Sequence, residues 1–259
     1  MKTIRKALAL LLVLCMLITI LPMAAIANRI SFDPNNGSSF NDGYNNVISQ
    51  KDYAIAPGVM EQTVVLNDNT GENQNVGHVM QIDLSNSNAT LLAGYKNMDP
   101  TNWGTQATSK QAEAAEEKLG VNVVGAINTN LSWASDEPLG MLVINGVVYH
   151  EADNGQAYFV LTKDGTAELR DSSTPLQGNE WQATSTFGWL VRNGVSLYTT
   201  ADHATGSRAP RTAIGIKEDG SVILFVVDGR QAPYSVGMSM YELAQAMLSL
   251  GCVQAANCD

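Results

Sequence analysis

The chain has 259 residues, of which 15 are Lys or Arg and 25 Asp or Glu, a formal charge of −10. Such an acidic surface repels phosphate backbones and anionic headgroups, which argues against a nucleic-acid partner. Any phosphate-bearing ligand must therefore be met by a local basic pocket.

Lys2, Arg5 and Lys6 precede the apolar run Ala7 to Ile20, Pro22 breaks it, and Ala25-Ile26-Ala27 offers small residues at −3 and −1. Residues 1–27 thus read as a signal peptide, too short in its apolar part for a span of roughly 20 residues. The expected product is secreted or held in the cell envelope, with no membrane association after cleavage. Cleavage removes three basic residues and leaves 12 basic against 25 acidic side chains, a formal charge of −13. Of the three cysteines, Cys252 and Cys258 then remain, and they read as small buried hydrophobes. Six strand steps at about 3.3 Å exceed the reach of a bridge.

Residues 28–56 are rich in Asn, Ser and Gly and read as a flexible leader. From residue 57 the pattern becomes that of one domain, 57–259. Apolar or alternating runs at Thr63 to Leu66, His78 to Leu84, Thr90 to Ala93, Val121 to Ile127, Met141 to Ile144 and Val147 to Tyr149 predict strands. Asn145-Gly146, Asp164-Gly165, Asn193-Gly194 and Asp219-Gly220 each separate two such runs, the strongest local hairpin signal. Two helices interrupt the strands. One spans Thr108 to Leu119, with a Thr108-x-x-Gln111 capping box and a stop at Gly120. The other spans Ser239 to Leu250, with Ser239-x-x-Glu242 and a stop at Gly251.

The last stretch reads strand (Val222 to Val227), helix, strand (Cys252 to Asn257), a C-terminal βαβ unit with a parallel crossover. The fold class is α+β, or mixed α/β: strand-rich with hairpins and two main helices. Ligands of open α/β sheets sit beyond the carboxyl ends of the strands, where Asp228-Gly229-Arg230-Gln231 and Asn257-Cys258-Asp259 fall. No nucleophile elbow, Walker loop or His-Glu-x-x-His helix is present, and His78, His150 and His203 are scattered, which argues against zinc. What remains is a concentration of Asp, Asn and Arg at strand ends, a pattern that ordinary turn residues also produce.

Arg211-Thr212-Ala213-Ile214-Gly215, Val226-Val227-Asp228-Gly229-Arg230-Gln231, Tyr234-Ser235-x-Gly237-Met238-Ser239 and Ala256-Asn257-Cys258-Asp259 resemble the phosphodiester glycosidases. That family contains the mannose-6-phosphate uncovering enzyme and bacterial exopolysaccharide-associated relatives. Gly125-Ala126-Ile127-Asn128 resembles the family's first site loop, although Thr129-Asn130 stands where the family usually has two glycines. Relatives continue past Asn-x-Asp into glycines and serines, whereas this sequence stops at Asp259, so the resemblance implies either a domain truncated at its C-terminus or a site lacking some phosphate-binding amides.

The resemblance also implies hydrolysis of a sugar-1-phosphodiester, such as an N-acetylglucosamine-1-phosphodiester or a related cell-envelope glycan. A phosphate monoester is a good leaving group. The site therefore needs a fixed cation, a carboxylate near the developing oxocarbenium ion and a placed water. Arg211, Asp228 and Asp259 are the implied catalytic residues, the arginine for phosphate and either aspartate as nucleophile or base. Arg230, Asn128, Asn257, Thr212 and Gln231 are the implied substrate-binding residues. No cofactor or metal is implied, though Asp and Asn could also hold Ca²⁺. The competing reading is a non-catalytic domain that binds cell-envelope glycans through the same pocket.

Overall fold

The computed structural model describes residues 46–67, 73–129, 138–152, 157–199, 202 and 206–258. Residues 1–27, read as a signal peptide, most of those read as a leader, and Asp259 lie outside them.

The described strands are β1 (Asn46–Ala56), β2 (Val59–Asn67), β3 (Gln74–Ile82), β4 (Leu142–Ile144), β5 (Val147–His150), β6 (Ala157–Thr162), β7 (Ala167–Asp171), β8 (Glu180–Ser185), β9 (Gly188–Arg192), β10 (Val195–Ser196), β11 (Arg211–Lys217), β12 (Val222–Val227) and β13 (Cys252–Asn257). Among the described residues the α-helices with both ends described are α1 (Thr108–Leu119) and α2 (Met240–Ser249), with a short 3-10 helix at Lys96–Met98. An eight-stranded sheet runs β1-β2-β3-β12-β11-β13-β9-β10, and a five-stranded sheet runs β5-β4-β8-β6-β7.

The four expected hairpins form, joining β4 to β5, β6 to β7, β9 to β10 and β11 to β12. Asn145 and Asn193 take positive φ, as a two-residue turn matched to strand twist requires. β11 and β12 are covered on both faces, which is why Val222–Val227 reads as an unbroken apolar run. Ala213, Ile223 and Phe225 pack with Leu243, Ala244 and Met247 of α2. Ile214, Ile216, Val222 and Leu224 pack with Phe159, Leu161 and Leu169 of the small sheet. The order of layers is therefore α2, large sheet, small sheet.

Four expectations need correction. Asn46–Ala56, read as leader, is a strand paired along its length with β2. Gln62 ties it down by donating to Asp52 Oδ1 at 2.6 Å. Its side chains are mostly exposed, so composition concealed a strand held by its ladder rather than by burial. Thr90–Ala93 and Val121–Ile127, read as strands, are irregular chain. The capping box at Thr108 is absent: Ala107 is the N-cap and makes no side-chain bond, while Gln111 donates to the Gln106 carbonyl at 3.0 Å. The C-terminal crossover exists, but β11 lies between β12 and β13 and is antiparallel to both. The two strands run the same way without touching, and each strand pairing in the sheet is antiparallel.

Cys252 and Cys258 are both buried. They belong to the cores on opposite faces of the large sheet, which rules out a bridge between them.

Candidate functional site

The insertion of β11 into the crossover brings the distant motifs to one end of the large sheet. Arg211 opposes Val227, and Ala213 opposes Asn257, so Asp228 and Cys258 lie one step further at the same rim. The Cys258 amide donates to the Thr212 carbonyl at 2.8 Å.

On the side facing the small sheet, Thr212 Oγ1 donates to Asn128 Oδ1 at 2.7 Å. Thr212 is 5% exposed, so this bond sets the position of its more open partner. The neighbouring Thr129 hydroxyl meets the Thr184 hydroxyl of β8 at 2.7 Å. Asn128 and Thr129 thus bridge the gap between the two sheets. They also line a cavity of about 660 Å³ whose walls are mainly apolar, among them Phe159, Ile214 and Leu224.

Asp228 is half-buried and extends the sheet by donating its amide to the Val76 carbonyl at 2.9 Å. The loop after it folds back through paired bonds between Gln231 and Ser235, at 2.8 and 3.0 Å. Ser235 Oγ donates to the Asp228 carbonyl at 2.6 Å and accepts from the Val76 amide at 3.1 Å. Tyr234 donates its hydroxyl to Asp228 Oδ2 at 3.2 Å. Partial desolvation and, after it, the Asp228 carboxylate raise the Tyr234 phenol, keeping it a hydrogen-bond donor at neutral pH. Arg230 takes φ +59° with an exposed side chain, and Gln231 is exposed beside it.

Arg211 faces the other way. Its Nε donates to the Met238 carbonyl at 3.1 Å and its Nη2 to the Ser207 carbonyl at 3.3 Å. It also lies near Tyr198, whose hydroxyl burial and then Asp202 push up while Arg211 pulls it down. Asn257, opposite Ala213, is 1% exposed, and its Oδ1 has no hydrogen-bond partner.

The structure therefore brings the segments bearing Asn128, Thr212, Asp228, Arg230, Gln231 and Asn257 to one rim. The Asn128–Thr212 pair opens between the sheets, whereas the Arg211 guanidinium is held against the loop leading into α2. Asp259 lies outside the described residues. Among the described residues no group of three or more His, Cys, Asp or Glu converges as a metal site.

Three features escaped the sequence. Arg208 reaches Glu242 through Nε at 3.1 Å and Nη2 at 2.7 Å, while Glu242 and Ser239 form the predicted capping box of α2. Ser235 knots the Asp228 loop to β3, a role that the Tyr-Ser-x-Gly pattern could have signalled. Phe187 stands exposed at the bend between β8 and β9, and no motif marked it.

Residues 121–259 match the phosphodiester glycosidase family. With more than half its length matched, the chain belongs to that family. In fold it is similar to the catalytic domain of zebrafish N-acetylglucosamine-1-phosphodiester alpha-N-acetylglucosaminidase, auto-inhibited by its pro-peptide. There the TM-score is 0.59 at 18% identity, over 82% of this chain and 76% of that one. A hypothetical protein from Synechocystis gives a TM-score of 0.52 at 14% identity, over 82% and 58%. At these identities the likenesses concern the fold. An uncharacterized SPbeta prophage-derived protein of Bacillus subtilis (strain 168), YomE, is 30% identical over 174 residues. The match takes in 62% of this chain and 26% of YomE, so the chain spans about a quarter of that relative's length.

Proposed function

We propose that this protein is an exported hydrolase that cleaves a sugar-1-phosphodiester at the C1–O bond, with N-acetylglucosamine as the sugar. The observation that carries the reading is the meeting of four family-matched segments at one sheet rim: Asn128, hydrogen-bonded at 2.7 Å to Thr212, with Asp228 and Asn257 on the flanking strands. The zebrafish enzyme of similar fold acts, by its name, on an N-acetylglucosamine-1-phosphodiester.

In this reading water adds its oxygen to C1, and the C1–O electron pair leaves with the phosphate monoester, which needs little protonation to depart. Asp228 steadies positive charge developing at C1 or takes the water's proton, and Tyr234 holds that carboxylate in place. Asn128, locked by Thr212, orients sugar hydroxyls. Arg230, exposed on a backbone held in the left-handed region, offers its guanidinium to the phosphate. Arg211 serves the phosphate only if its guanidinium leaves the Met238 and Ser207 carbonyls. Otherwise it positions the rim.

Incubation with UDP-N-acetylglucosamine and with p-nitrophenyl N-acetylglucosamine-1-phosphodiester, with release of free sugar measured, tests the proposal. Turnover lost in Asp228→Asn supports it. A folded protein that binds these compounds but releases no sugar would leave a glycan-binding domain instead.

A further inference from the structure

Phe187 lies where the chain passes from the small sheet to the large one. Just before it, Thr186 donates both its amide and its hydroxyl to the Ala157 carbonyl, at 2.9 and 3.0 Å. Three residues before it, Thr184 holds Thr129 across the gap between the sheets. Phe187 itself donates its amide to the Asn257 carbonyl at 2.6 Å. Its backbone is thus tied directly to the Asn257 segment and, through Thr184 nearby, the strand before it to Thr129, yet its side chain is 55% exposed. Among the described residues no aromatic side chain is more exposed, and this ring stands beside the candidate rim.

Across the rim, the opposite end is charged. β12, which Asp228 directly follows, lies two strands from β13, and β9 follows directly after β13. At about 4.8 Å per strand, Phe187 and the Asp228 loop sit roughly 14 Å apart along the rim. That is about the length of a hexose carrying a phosphate and the first atoms of its aglycone. One end offers an aromatic face and the other a guanidinium, a phenol and the Asp228 carboxylate. The axial C–H bonds of a pyranose carry slight positive charge and pack on the negative face of an aromatic ring. A phosphate favours the guanidinium.

We infer that Phe187 is the stacking platform for the sugar ring and that substrate lies across the rim with its sugar over β9 and β13 and its phosphate toward Arg230. The inference rests on the proposed sugar-phosphodiester chemistry, and it makes Phe187 a specificity-determining residue rather than a catalytic one.

The test compares wild type, Phe187→Ala, Phe187→Trp and Arg230→Ala with UDP-N-acetylglucosamine as substrate, and with free N-acetylglucosamine and inorganic phosphate as inhibitors. Phe187→Ala is expected to raise KM at least roughly tenfold with kcat within about twofold, and to weaken inhibition by the sugar but not by phosphate. Phe187→Trp should restore KM, and Arg230→Ala should show the reverse pattern of inhibition. Unchanged KM in Phe187→Ala, or weakened inhibition by phosphate alone, overturns the inference. Saturation-transfer NMR from the protein to N-acetylglucosamine keeps the two proposals apart. A wild type that binds the sugar through Phe187 without turnover refutes the hydrolase and leaves the platform. Turnover and sugar binding that ignore Phe187 refute the platform alone.

Discussion

Gly237 offers a quantitative test of how tightly the Asp228 loop is welded to the segment before Arg211. It takes φ +89°, and an added Cβ would be driven into the Ala209 carbonyl group. Its amide also donates to Asn75 Oδ1 at 2.7 Å. Gly220, in the β11–β12 hairpin, has a similar φ of +84° but open space around its Cα. Gly220→Ala therefore isolates the backbone term, about 1 kcal/mol. Gly237→Ala adds overpacking of about 1–3 kcal/mol against a backbone that cannot swing aside. It also strains the two Ala209–Met238 bonds, 3.0 and 3.2 Å long, worth about 1 kcal/mol each. The sum is roughly 4–6 kcal/mol, or about 8–24 °C in Tm, against about 2–4 °C for Gly220→Ala. Urea unfolding followed by circular dichroism measures both. Equal losses in the two variants would show that the contact between residues 209 and 237 is not tight, and the rim would lose its rigid frame.

Thr212→Val removes the donor to Asn128 while keeping the shape, and should lower kcat/KM about tenfold with a stability loss near 1 kcal/mol. Steady-state kinetics beside a urea titration separates the two. Arg208→Ala leaves the buried Glu242 carboxylate without its bidentate partner and should destabilise by about 3 kcal/mol, more than the roughly 1 kcal/mol of Ser239→Ala; thermal melts rank them. Glu180 supplies a pH dependence. Burial pushes its carboxyl up, but the Gln177 and Glu180 amides and then Arg170 outweigh burial and hold it below the usual 4.5. The depressed value means that its stabilisation is present above the unfolded-state pKa and is lost as pH falls through the folded one. Wild type should thus exceed Glu180→Gln in urea midpoint at neutral pH, with the gap closing in acid. Burial holds the Cys252 thiol far above its ordinary pKa, so a maleimide should label neither cysteine until the protein unfolds.

The hairpins were legible because a two-residue turn demands particular chemistry, and Asn-Gly or Asp-Gly supplies it. α2 was legible for the same reason, since Ser239 and Glu242 cap it as their spacing predicts. Val121–Ile127 was misread because a β-branched run signals a strand only when a partner edge is near, and this stretch lies over the cavity instead. β1 was missed for the opposite reason: its partner, not its own composition, makes it a strand. At the site, the residues of the rim were readable, but the directions of their side chains were not. Whether Arg211 faces the small sheet or α2 depends on the pleat of β11, and a single step in register reverses it.

The position of β13 has a consequence for how the molecule assembles. It is the last described strand in the chain, yet it lies in the sheet's interior between β11 and β9. Without it, β1-β2-β3-β12-β11 and β9-β10 share no strand pairing and meet through the core under α2 instead. Its insertion also places Asn257 and Cys258 against Thr212 and Phe187. The candidate rim is therefore complete, with Asn257 in place, only when the sheet has closed around β13.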